Sequence, residues 1–121
     1  MRAALALAAG LVASASALSA QQQVTSAPGA VLRALDKSSG TTEDIEIATG
    51  TSAVFGRITV ALSDCRYPVD DPSSNAFAHL TITHSNSGTP EFDGWMVAQS
   101  PALSALDDPR YDVWLLRCMS N

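Results

Sequence analysis

Two cysteines, two histidines and a scatter of acidic and hydroxyl side chains are the residues of this chain able to do chemistry. Each arrangement can be tested against what a reaction needs. His79 and His84 invite a metal, but five positions apart on one strand they point to opposite faces, so one ion cannot easily take both. Asp70-Asp71-Pro72 and Asp107-Asp108-Pro109 place paired carboxylates before proline. A calcium loop supplies ligands at several alternating positions, which neither stretch does, so both read as turn-forming aspartates. Ser100 or Ser104 can be drawn with either histidine as a Ser-His-Asp assembly, as in any serine-rich chain. There is no G-x-S-x-G elbow, H-E-x-x-H, phosphate loop or dinucleotide fingerprint. No catalytic residue, cofactor or metal is therefore assigned.

Composition narrows the partners. Seven basic and twelve acidic side chains give a net charge of -5. Binding to phosphate backbones needs clustered Lys and Arg, and here Lys37 is the only lysine. Nucleic acid is not an expected partner. At the N-terminus, Arg2 leads an apolar, alanine-rich stretch from Ala3 to Leu18 that ends in small residues, the pattern of a secretory signal peptide over residues 1–20. It is shorter than a bilayer span, so the mature protein is expected to have no membrane span and to be periplasmic or secreted by the general route. In an oxidising compartment Cys65 and Cys118 are expected to pair as a disulfide, and the absence of a Cys-x-x-Cys motif speaks against redox catalysis.

The elements that must position these residues are mostly strands. Ile45 and Ile47 alternate with acids, Ile58, Val60 and Leu62 with Arg57, Thr59 and Ala61, and Ala78, Leu80 and Ile82 with Phe77, His79 and Thr81. Further runs cover Val31 to Asp36, Gly94 to Ala98 and Tyr111 to Cys118. Ser38-Ser39-Gly40, Gly50-Thr51, the Pro68 to Pro72 stretch and Ser85 to Pro90 separate them. The pattern predicts an all-β domain, a small antiparallel β-sandwich or barrel. One short helix is expected near residues 101–107, with Ser100 as its cap and Pro101 in its first turn. Residues 21–30 read as a flexible segment and 31–121 as a single domain.

Alternation on the last strand puts Trp114 and Leu116 beside Cys118 on a core face, together with Asp112, which would need Arg66, Arg117 or backbone N–H groups as compensation. Tyr111 falls on the other face and, with Trp95, is the expected partner contact. Cys65 breaks the alternation of its own strand, so a bulge or strand end near Ser63 or Asp64 is expected.

Phe92-Asp93-Gly94-Trp95-Met96, Ser100-Pro101-Ala102-Leu103 and Tyr111-Asp112-Val113-Trp114-Leu115-Leu116-Arg117-Cys118 form the most distinctive stretch. With Cys65-Arg66-Tyr67-Pro68, Ala34-Leu35-Asp36-Lys37 and Ala76-Phe77, it resembles an uncharacterised family of exported alphaproteobacterial proteins, domain of unknown function 2155. The resemblance runs from about Val31 to Cys118. It implies an exported domain with its cysteines at the family positions and carries no activity; Gly94, Trp95, Met96, Ser100, Pro101, Asp112 and Trp114 read as its structural motif. The sequence departs from the family at Val97, Gln99 and Asp108, where relatives tend to have Phe, Ser and His. The expected function is a non-enzymatic envelope module that binds an envelope protein or cell-wall component. The alternative is a small hydrolase of envelope polymers working through Asp or Glu.

Export is checked by intact-mass analysis of the mature protein, which should begin at Gln21 or a near neighbour. Recovery of residues 1–20 in a membrane fraction would mean that the segment is an anchor.

Overall fold

Branched apolar residues at every second position, interrupted by glycine, proline and short polar turns, make this chain a series of strands with one buried face each. In the computed structural model, which describes residues 23–120, the strands are β1 (Val24–Ser26), β2 (Gly29–Asp36), β3 (Thr41–Ala48), β4 (Ser52–Phe55), β5 (Ile58–Pro68), β6 (Phe77–His84), β7 (Pro90–Val97) and β8 (Tyr111–Met119). The proposed signal segment lies outside the described residues. Where a flexible stretch was expected at 21–30, the chain from Val24 is a strand paired with the end of β5.

All pairings are antiparallel. One sheet runs β1-β5-β6-β7, with β4 also on β5, and the other runs β3-β2-β8. The two are stacked as a sandwich and do not close into a barrel. Ile58, Val60, Leu62, Leu80 and Ile82 of the larger sheet face Leu32, Ala34, Ile47, Val113 and Leu115 of the smaller one. Each such aliphatic side chain, once fully buried, contributes about 1.5–3 kcal/mol. β4 was not legible because Val54, its most apolar middle residue, points to solvent while Ala53 and Phe55 turn inward. Among the described residues no helix is long and apolar enough to cross a membrane.

The expected two-turn helix is a single 3-10 turn, Pro101–Leu103. Ser100 gives no side-chain cap, and the chain is already extended at Ser104. A helix this short has little stability of its own. Leu106 instead inserts into the core on an extended segment, while Leu103 is 77% exposed.

The two cysteines form a disulfide that ties β5 to β8 across the sheets, with Cα atoms 5.8 Å apart. Two bulges make this possible. On β5 the register shifts between Leu62 and Asp64, which leaves Asp64 outward beside Ser63 and turns Cys65 inward, as the broken alternation predicts. On β8 the register shifts again: Leu115 lies opposite Leu32 but Arg117 lies opposite Val31, leaving Leu116 as the extra residue.

That second bulge reverses the faces expected on β8. Cys118, opposite Ala30, reaches the inner side although Trp114 does not. Tyr111, Val113 and Leu115 are the buried face, and Asp112, Trp114 and Leu116 are half-buried on the outside. Tyr111 is 0% exposed, so it cannot be the partner contact. Its ring packs edge-on against Phe55 at 5.9 Å, and its hydroxyl accepts the Arg57 N–H at 3.0 Å. Gly56, at φ +56°, sits against this hydroxyl; a Cβ there would come within 2.5 Å of it. Glycine in the first position of this two-residue hairpin therefore serves both the turn and the packing. Asp112, outside the core, needs no buried compensation.

Two substitutions test this arrangement by urea denaturation. Tyr111→Ala should cost about 3–5 kcal/mol and Trp114→Ala distinctly less. Cys65→Ser opens a loop with a sequence separation of 53 residues and should cost about 2–5 kcal/mol.

Candidate functional site

The outward faces of β5, β6 and β7 bring together side chains far apart in sequence. In register, Asp64 lies opposite His79 and His79 opposite Trp95, while Thr81 lies opposite Asp93. Trp95 is 39% exposed, whereas its neighbours Gly94 and Met96 belong to the inward face. The His79 ring meets the Trp95 ring edge-on at 5.2 Å, and the Arg66 guanidinium lies 5.1 Å from its centre, a cation–π contact. Arg66 Nε in turn donates to Asp64 Oδ2 at 2.7 Å. Beside this group, Ser63 and Thr81 line a shallow recess of about 310 Å³ together with Gly50, Thr51 and Ser52.

Ser63, His79 and Asp93 invite comparison with a Ser-His-Asp triad. The Ser63 hydroxyl is 2.5 Å from His79 Nδ1, but it also donates to the His79 carbonyl oxygen at 3.2 Å. A hydroxyl has one proton. Which contact takes that proton is set by the His79 tautomer, so this pair by itself does not make His79 a general base. His79 Nε2 is 3.7 Å from Asp93 Oδ1, beyond hydrogen-bond range, and Asp93 instead accepts from Thr81 at 3.2 Å. The group therefore reads as a hydrogen-bonded platform around a tryptophan. Partial burial pushes the Asp64 carboxyl up, but the Arg66 guanidinium, the Ser26 hydroxyl and the Cys65 N–H together outweigh it and hold it below its usual range.

The carboxylates of the C-terminal half converge elsewhere. Asp108 is the buried charged residue among those described. Its Oδ1 accepts the N–H groups of Arg110 at 2.7 Å and Tyr111 at 2.9 Å. Desolvation pushes it up; those two N–H groups and a hydrogen bond with Glu91 outweigh this and leave it lowered. Glu91, sharing that hydrogen bond and facing the Asp108 charge, is raised. Asp108 is thus committed to two backbone N–H groups and is not a free acid or base of the kind that glycoside hydrolysis requires. Nearby, Arg110 holds Asp36 at 3.0 Å, and this guanidinium, helped by the Ser38 hydroxyl, keeps the Asp36 carboxyl well below its usual range. Lys37 Nζ donates to the Asp108 carbonyl at 2.8 Å. These contacts fasten the segment after β7 to the start of β8.

A second, larger groove of about 580 Å³ opens beside the disulfide, between Tyr67, Asn75 and Ala98 on one side and Leu116 and Met119 on the other. Glu46 is the one carboxylate residue of its lining.

Of the residues singled out in the sequence, the structure brings Trp95 to this outer face, Tyr111 and Met96 to the core, and Ser100 and Pro101 to an exposed turn. It adds Ser63, Asp64, Arg66, His79 and Asp93, which lie on three strands and which the sequence does not bring together.

Residues 30–118 match the family of uncharacterized proteins conserved in bacteria, domain of unknown function 2155. The chain belongs to this family. A relative, an uncharacterized protein of Rickettsia prowazekii (strain Madrid E), is 32% identical over 88 residues, covering 70% of this chain and 57% of that protein. The chain thus spans little more than half of the relative's length. No solved structure matches. The matched region runs from β2 to β8 and contains the Trp95 face, the disulfide and Asp108.

The depressed carboxyls set the acid limit of stability. A lowered folded-state value stabilises the fold above the unfolded carboxylate value near 4 and is lost as pH falls through the folded value. Glu91, raised, acts in the opposite sense and loses its contribution as pH rises through its own. Thermal unfolding should therefore show the melting temperature dropping below about pH 4, and Asp108→Asn, which still accepts both N–H groups, should flatten that drop.

Proposed function

We propose that this domain is a non-enzymatic binding module of the bacterial envelope, exported to the periplasm or beyond, whose contact surface is the outer face of the larger sheet around Trp95. The observation that carries the reading is an ordered, partly exposed tryptophan on a rigid three-strand platform, steadied by Arg66 and His79. Large aromatic side chains left at a surface and held in one conformation are the usual anchors of binding sites, because little entropy is lost when they are covered. The disulfide supports export, since such bonds persist in oxidising compartments. A hydrolase acting through Asp or Glu has less support. Asp108 is engaged in holding the chain through two backbone N–H groups, and among the described residues the grooves gather no opposed carboxylates.

Cross-linking in intact periplasm, followed by isolation of the protein, tests the reading. Wild type should yield discrete adducts that Trp95→Ala abolishes, while Trp95→Ala loses less stability than Tyr111→Ala. Identical adducts from wild type and Trp95→Ala would move the contact surface elsewhere.

A further inference from the structure

We infer that the ligand of the Trp95 face is a neutral pyranose glycan, an assignment that rests on the binding role proposed above. A pyranose ring has one face of C–H groups and a rim of hydroxyls, so its receptor needs an aromatic surface bordered by donors and acceptors. Trp95, 39% exposed with the Arg66 guanidinium over one part of its ring, supplies the first. Around it stand the carboxylates of Asp64 and Asp93, the Arg66 guanidinium, the His79 imidazole and the hydroxyls of Ser63 and Thr81, all on paired strands. Several are already oriented by one another, Arg66 by Asp64 at 2.7 Å and Asp93 by Thr81 at 3.2 Å, which lowers the entropy lost on binding.

The surroundings fit a polyol better than a protein. A protein hot spot seats its aromatic anchor among apolar neighbours that exclude water. Phe77 and Val97 share this face on one side of Trp95, but toward Asp93 and Ser63 the neighbours are carboxyl, imidazole and hydroxyl groups, and every carboxylate desolvated by an apolar partner would be costly. Sugar hydroxyls instead donate to those carboxylates, forming the stronger, charge-assisted class of hydrogen bond. Charge decides against an anionic polymer: two carboxylates and one guanidinium leave the face negative, as is the chain at -5. The recess of about 310 Å³ that Ser63 and Thr81 help to line offers a second position, at the small end of ligand-pocket sizes.

Two tryptophans give the measurement its handle. In a Trp114→Phe variant the emission reports Trp95 alone, and soluble oligomers of N-acetylglucosamine, or of glucose as a second neutral glycan, should shift it saturably. Calorimetry on the wild type should then show binding that is lost in Trp95→Ala and weakened roughly tenfold or more in Asp93→Ala, the effect of one hydrogen bond to a charged group. Circular dichroism and the intact disulfide confirm that these variants are folded. No saturable shift with either glycan at millimolar concentration overturns the glycan assignment. If Trp95-dependent cross-links to a protein persist in that case, the binding face stands and only the ligand class falls; if they too are absent, both fall.

Discussion

The bond between Cys65 and Cys118 is the constraint on which the two sheets depend. It joins a central strand of one sheet to an edge strand of the other, and neither cysteine would reach it on a regularly alternating strand. A bulge at Ser63 and another at Leu116 each shift the side-chain parity by one, so that both sulfurs arrive in the space between the sheets. In a domain of this size the core has limited surface to bury, and a covalent link closing a long loop offsets part of the chain entropy lost on folding.

The β5 bulge has a second consequence on the opposite side of the sheet. Turning Cys65 inward sends Asp64 and Arg66 to the surface that Trp95 shares, beside Ser63 and His79, which alternation already places there. The staple and the candidate binding face are thus two sides of one irregularity. Bulges redirect side chains without interrupting the sheet, which is why they recur beside functional sites. A rigid platform results, because its members sit on paired strands rather than on loops.

The segment between β7 and β8 is held by a different chemistry. Its apolar contribution is Leu106, and most of its attachment is polar: Asp108 caps the first N–H groups of β8, Glu91 shares a hydrogen bond with it, and Arg110 and Lys37 fasten the approach to the β2–β3 turn. The buried charge of Asp108 is tolerable only because two N–H groups point at it. The residue acts as an acceptor of backbone hydrogen bonds.

Strand alternation, turn residues and the lone pair of cysteines were enough to predict an all-β sandwich-like domain and its disulfide, because these depend on local periodicity and on a pairing with one solution. The broken alternation at Cys65 even located a bulge. The faces of β8 were another matter. Trp114, Leu116 and Cys118 share parity in the sequence, and only pairing with β2 placed an extra residue at Leu116 and put Tyr111 in the core. The small strands do not register as a period, because β1 has one apolar residue and the apolar residues of β4 run consecutively, with Val54 turned to solvent. The Trp95 platform was equally illegible: Ser63, His79 and Asp93 belong to three strands whose mutual register is set by the packing of the whole sheet, and a one-residue slip would send each to the other face. Local sequence chose the strands. Which residues meet was decided by how those strands paired, since contact across a sheet depends on register, a property of two segments together and of neither alone.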